Sequence, residues 1–267
     1  MRARNILTCI SLALSDLLIG THARLCVFDN PPNIGFRFDD ELQGELDGCT
    51  TVVADNITIG DLRDSLVVQG VQNITATLIV PNNDEWGMPV IGSIEFPDLE
   101  YLGGLYVYEV NELQNFTFPK LKQVRDMVDI TGIESDSRFD FASLEHAGAV
   151  RIAARIKELD LHSLQTVDND FTIKSCTSCS KEQDDPPMLD LSGLVSVGYI
   201  DIQGQFDSVS LSALSSIGPP MNPGNTNLSS DSGARLYFND TRHSFDLNLT
   251  HLEAVDKQLY INGKIDT

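Results

Sequence analysis

The stretch Phe96–Val124, FPDLEYLGGLYVYEVNELQNFTFPKLKQV, contains Phe-Pro-x-Leu twice, at Phe96–Leu99 and Phe118–Leu121, 22 residues apart. The outline recurs beyond these two copies. An apolar-x-apolar triplet followed by x-x-Leu appears as IEFPDL, FTFPKL, FDFASL, LDLHSL, LDLSGL, VSLSAL and LNLTHL, ending at Leu99, Leu121, Leu144, Leu164, Leu194, Leu214 and Leu252. The steps are 22, 23, 20, 30, 20 and 38 residues.

A second ladder of alternating triplets runs between these copies. Its members are Ile57-Thr-Ile59, Leu78-Ile-Val80, Leu105-Tyr-Val107, Val128-Asp-Ile130, Val150-Arg-Ile152, Phe171-Thr-Ile173, Ile200-Asp-Ile202, Leu236-Tyr-Phe238 and Leu259-Tyr-Ile261. Two long steps carry turn-rich insertions, Ser175–Pro187 and Gly218–Gly233. Alternation with period two means strands with one buried face. Two such strands per turn mean a coil whose apolar faces are buried only by stacking turn on turn. The expected fold is therefore all-β: a right-handed β-solenoid with turns of about 22 residues. A run of true leucine-rich repeats is the near alternative, but Leu-x-x-Leu-x-Leu-x-x-Asn is not met and the intervals lack a 3.6-residue pattern.

The ends read differently from the middle. Met1-Arg-Ala-Arg4, the apolar run Ile6–Ile19 and the small Ala23 read as a signal peptide over residues 1–23, with a buried N-terminal helix as the alternative. Residues 24–55 read as an N-terminal cap pinned by a disulfide, and 56–267 as solenoid repeats that stop inside a turn at the C-terminal end. Six sequons agree with export, at Asn56, Asn73, Asn115, Asn227, Asn239 and Asn248. Of five cysteines Cys9 lies in the signal, leaving Cys26, Cys49, Cys176 and Cys179 for two disulfides. Three pairings are open, and the local one, Cys26–Cys49 with Cys176–Cys179, is the expectation. The net charge of −21 argues against nucleic acid and against docking on anionic lipid.

At this point the pattern resembles a known family. Cys49-Thr-Thr-Val-Val-Ala-Asp-Asn-Ile-Thr-Ile59, Leu66-Val-Val-Gln-Gly-Val-Gln-Asn-Ile-Thr-Ala-Thr-Leu78, Phe-Pro-x-Leu and Leu102-Gly-Gly-Leu105 are similar to the fungal GPI-anchored cell-wall-organisation proteins with receptor L-domain-like repeats. The resemblance spans roughly residues 26–267. It implies a secreted, glycosylated β-solenoid at the cell surface and cell wall, not known as an enzyme, with wall polysaccharide or wall proteins as partners. Ala76-Thr77 departs from that family's Gly and acid. No Ser-rich stalk or hydrophobic tail follows in this sequence, so membrane attachment would need a GPI anchor that the chain as given does not encode.

Catalytic signals are weak. Asp184-Asp185 and Arg155-Ile-Lys157 resemble fragments of pectin-cleaving β-helices, but their order is reversed and Gly-His-Gly is absent. Gly-x-Ser-x-Gly is absent too, and His146, His162, His243 and His251 form no metal-ligand pair. No catalytic residue, metal or cofactor is expected, and His162 is expected at the surface. The middle residues of the strand ladder, Thr58, Ile79, Tyr106, Asp129, Arg151, Thr172, Asp201, Tyr237 and Tyr260, are expected to point outward as a stripe. Tyr106, Tyr237 and Tyr260 are the candidates in it for stacking on sugar rings.

Overall fold

A computed structural model of the chain describes residues 7–11, 23–28, 36–38, 46, 48–59, 64–81, 91–110, 113–175, 186–218, 233–238, 245–256, 258–262 and 265–266. Every regular element among them is a β-strand. They stack as a β-solenoid of about seven turns spaced ~23 residues. Leu78, Leu105, Val128, Val150, Phe171 and Ile200 stand one above another on successive parallel strands, all buried.

The repeated Phe-Pro-x-Leu motif is a corner. The Leu N–H donates to the carbonyl of the residue three before it, at 3.4 Å for Leu99 to Phe96 and 3.1 Å for Leu121 to Phe118. Proline at the second position pre-sets the turn. In three of the five corners without Pro, an aspartate just before the corner takes over. Asp140, Asp160 and Asp190 accept the N–H of Ala142, His162 and Ser192 through Oδ1 at 3.1, 3.3 and 2.9 Å. The two apolar ends of each corner point inward. Phe96, Phe118 and Phe141 stack on one another, with ring centroids 5.4 and 5.6 Å apart and planes within 5° and 12°.

A second bend falls where the long strands slip register, between Ile74 and Thr77, Val124 and Val128, Ala147 and Val150, and Val167 and Asp170. Successive turns approach there closely enough to require glycine. A Cβ on Gly148 would overlap the Asp126 carbonyl oxygen of the turn before.

Residues 24–55 contribute strands to the same ladder. Arg24–Phe28 pairs in parallel with Thr51–Val53, and Phe36–Phe38 pairs with Asn56–Ile59. Cys26 and Cys49 are bonded as expected, fully buried, with Cα atoms 5.9 Å apart. Leu7–Ser11 lies antiparallel on Arg24–Phe28 as a strand, not as the alternative helix, and is the one antiparallel pairing among the described residues. Cys176 and Cys179 lie outside the described residues, as does most of both insertions.

One register expectation is corrected. Ala234-Arg-Leu236, not Leu236-Tyr-Phe238, stands on Ile200-Asp-Ile202. Arg235 therefore occupies the row assigned to Tyr237, and Tyr260 follows Arg235 in that row.

Candidate functional site

The outward positions of the long strands form two parallel rows. The first runs Thr58, Ile79, Tyr106, Asp129, Arg151, Thr172, Asp201, Arg235, Tyr260. The second runs Tyr108, Thr131, Ala153, Lys174, Gln203, Tyr237, Asn262. Among the described side chains these rows hold two cations, Arg151 and Lys174, and two carboxylates, Asp129 and Asp201.

The three tyrosines expected to act together fall apart. Tyr106 and Tyr260 share a row but stand six strands apart, on the order of 29 Å at ~4.8 Å per strand. Tyr237 belongs to the second row. Tyr108, missed in the sequence, instead lies beside Tyr106, with ring centroids 6.0 Å apart and a 34° tilt. It is the last residue of its strand. The next residue, Glu109, adopts a left-handed backbone (φ 52°) and donates its N–H to the Thr131 carbonyl at 2.9 Å. Gly132 (φ 74°) turns in the same way directly against it, where a Cβ would sit 2.8 Å from Glu109 Cγ.

Asp129 and Asp201 were expected to face solvent. They are on the outer surface, yet only 4% and 5% exposed. Their partners differ. Both oxygens of Asp201 accept from Gln203 Nε2, at 2.8 and 2.9 Å, and Lys174 Nζ stands 3.9 Å away. Asp129 Oδ2 faces Arg151 Nη1 at 3.5 Å, while Oδ1 is buried with no hydrogen-bond partner. Burial pushes the Asp129 carboxyl above the usual range, against the opposing pull of Arg151 and Tyr108. Burial, then the Asp129 charge, pushes the Tyr108 phenol up in turn.

The other candidates are dispersed. Asn56 is exposed, Asn73 and Asn115 half-buried, all three at strand starts, and Asn248 ends a strand. Asn227 and Asn239 lie outside the described residues, as do Asp184, Asp185 and His243. His162 is at the surface, its Nδ1 2.6 Å from Asp160 Oδ1, and that hydrogen bond raises the imidazole pKa. His146 meets Thr166 Oγ1 at 2.7 Å, and His251 meets the Ser212 carbonyl. An open groove of about 710 Å³ lies on another side, lined in part by Asp136, Arg155, Asp160, His162 and Asp190. Within it Arg155 pairs with Asp136 and His162 with Asp160. Among the described residues no three His, Cys, Asp or Glu are grouped to hold a metal.

Compared with known protein families, curated proteins and solved structures, the chain matches none. The likeness to fungal wall proteins rests on the residues quoted above.

Proposed function

We propose that this chain is an exported, glycosylated β-solenoid that acts without catalysis at a fungal cell surface, in cell wall organisation and integrity. The observation that carries export is the Cys26–Cys49 disulfide, buried in the core of the first turns. Such a bond belongs to an oxidising compartment. The four described sequon asparagines at strand ends support the same reading, since corners can carry glycan without interrupting the ladder. The mechanism is presentation. A stiff stack of turns holds one flat, charge-balanced face toward wall polysaccharide or wall proteins, with attachment through a GPI anchor.

The experiment is expression of the natural gene in a fungal host, with N-terminal sequencing and glycosidase treatment of the product, beside a deletion strain grown under wall stress. A mature N-terminus near Arg24, a mass loss on deglycosylation and a stress-sensitive wall are expected. Retention inside the cell with reduced cysteines, or cleavage of glucan or pectin by the purified protein, would overturn the reading.

A second reading, a ligand-binding ectodomain of receptor-L type, is favoured by one feature: the tyrosine pair beside the under-satisfied Asp129.

A further inference from the structure

We infer that Tyr106, Tyr108, Asp129 and Arg151 form a subsite for one ring of a neutral saccharide. The inference rests on the surface-presentation reading and names the ligand class for one end of the flat face.

Three observations converge. The first is the incomplete carboxylate. A buried acceptor without a partner is costly, and nearly all such groups in folded proteins are paired. Asp201, three strands along the same row, shows how this fold completes an outer carboxylate, with Gln203 on both oxygens. Asp129 is held less completely: Oδ1 has no hydrogen-bond partner, Oδ2 has one long contact to Arg151, and the Tyr108 phenol leans on the carboxylate. A hydroxyl donor supplies what is lacking.

The second is the aromatic pair. Tyr106 and Tyr108 stand on one strand, tilted toward each other, and Tyr108 is 38% exposed. Apolar C–H faces pack on such rings, and the phenols remain at the rim for polar contacts. The left-handed Glu109, packed against Gly132, fixes the direction in which the strand ends just beyond Tyr108. Strained backbone of this kind concentrates at binding sites.

The third is charge. Asp129 and Arg151 cancel at the site itself. A cationic ligand would meet the half-exposed guanidinium, and an anionic one would meet both the carboxylate and the field of a chain at −21. A neutral polyol uses both groups, donating hydroxyl protons to Asp129 and accepting from Arg151. Ala153, between Thr131 and Lys174 in the adjoining row, leaves room beside them. Oδ1 is shielded, so a ligand hydroxyl reaches it as the side chains over the carboxylate shift, while the Tyr108 ring stays as the packing surface.

The test is calorimetric and NMR titration of the secreted, deglycosylated full chain with hexamers of glucose, N-acetylglucosamine and mannose, and with a galacturonate hexamer as the anionic control. Binding of at least one neutral hexamer is expected, with chemical-shift changes at Tyr106, Tyr108 and Arg151. Asp129→Asn keeps the shape and removes the charged acceptor; it should weaken binding about tenfold or more, the scale of one charge-assisted hydrogen bond. Tyr108→Ala should abolish it. Tyr108→Phe guards against a folding artefact by keeping the ring. Tyr237→Ala, at the far end of the face, should leave affinity unchanged. No binding of any neutral hexamer, tighter binding of the galacturonate, or affinity indifferent to Asp129→Asn and Tyr108→Ala would each overturn the subsite. A deletion strain with a weakened wall beside any of those results would leave the wall role standing, so the two readings fail separately.

Discussion

Burial holds the Asp129 carboxyl above its ordinary value of 3.8, and Arg151 offsets only part of the effect. The folded chain therefore keeps this proton to higher pH than the unfolded chain. Stability from this group falls as pH rises from the ordinary value to the raised one, and stays reduced above it. Asp129→Asn removes the buried charge, and Arg151, half exposed, loses little. The variant is expected to melt higher than wild type at pH 7, by about 1–4 °C, with the difference gone at pH 3. Melting curves at the two pH values check this; an Asn variant equally destabilised at both would mean that Asp129 is held by a bond not seen here. His162 has the opposite sign. Its hydrogen bond to Asp160 stabilises the fold below the ordinary imidazole pKa and is lost as pH rises through the raised one. None of the Asp129 environment was legible in the sequence. Alternation assigns a residue to a face, but whether that residue is covered depends on the side chains of the strands above and below.

The corner is the unit of this fold, and it was legible because every copy makes the same contacts. Each Leu of the seven motifs closes the same N–H to carbonyl bond, from Leu99 to Leu252. Phe118 sits at the centre of the stack, fully buried between Phe96 and Phe141. Phe118→Ala removes two ring contacts and leaves a cavity bounded by two other turns. It is expected to cost about 3–5 kcal/mol, and Phe118→Leu less than half as much. Urea melts of the two variants decide it, and equal losses would show that the stacked ring, not the volume it fills, carries the stability. The one misplaced rung has a physical reason. Ala234-Arg-Leu236 and Leu236-Tyr-Phe238 both alternate, and a shift of two residues keeps every side chain on its own face. The apolar pattern cannot separate them. What distinguishes them is that the strand starts at Gly233, immediately after an insertion that hides the count.

Because each turn touches only its neighbours, stability in the stacked coil adds up locally and is not shared by all residues at once. Burial is already uneven. Leu105, Ile130, Ile152 and Ile173 are inaccessible, whereas Leu249, Leu252, Val255 and Ile261 are only partly covered. Native-state hydrogen exchange should therefore show graded protection, slowest across residues 105–173 and fastest across 249–261. A single rate over all these amides would mean one cooperative unit. The wider organisation was legible in the sequence as a period, down to the two insertions that stretch it. The tyrosine pairing was not, because Tyr106 and Tyr108 share a strand, while the repeat directed attention to equivalent positions on different strands.

The rungs between turns run along the axis of the coil, so a pull on its two ends opens them in succession. Each released turn of ~22 residues pays out about 75 Å of chain, at 3.3–3.6 Å per residue. The Cys26–Cys49 bond, whose ends are 23 residues apart, withholds that length from the first loop. A protein fixed at one end and gripped at the other would act as a series of fuses, lengthening turn by turn under load while the rest of the stack stays wound.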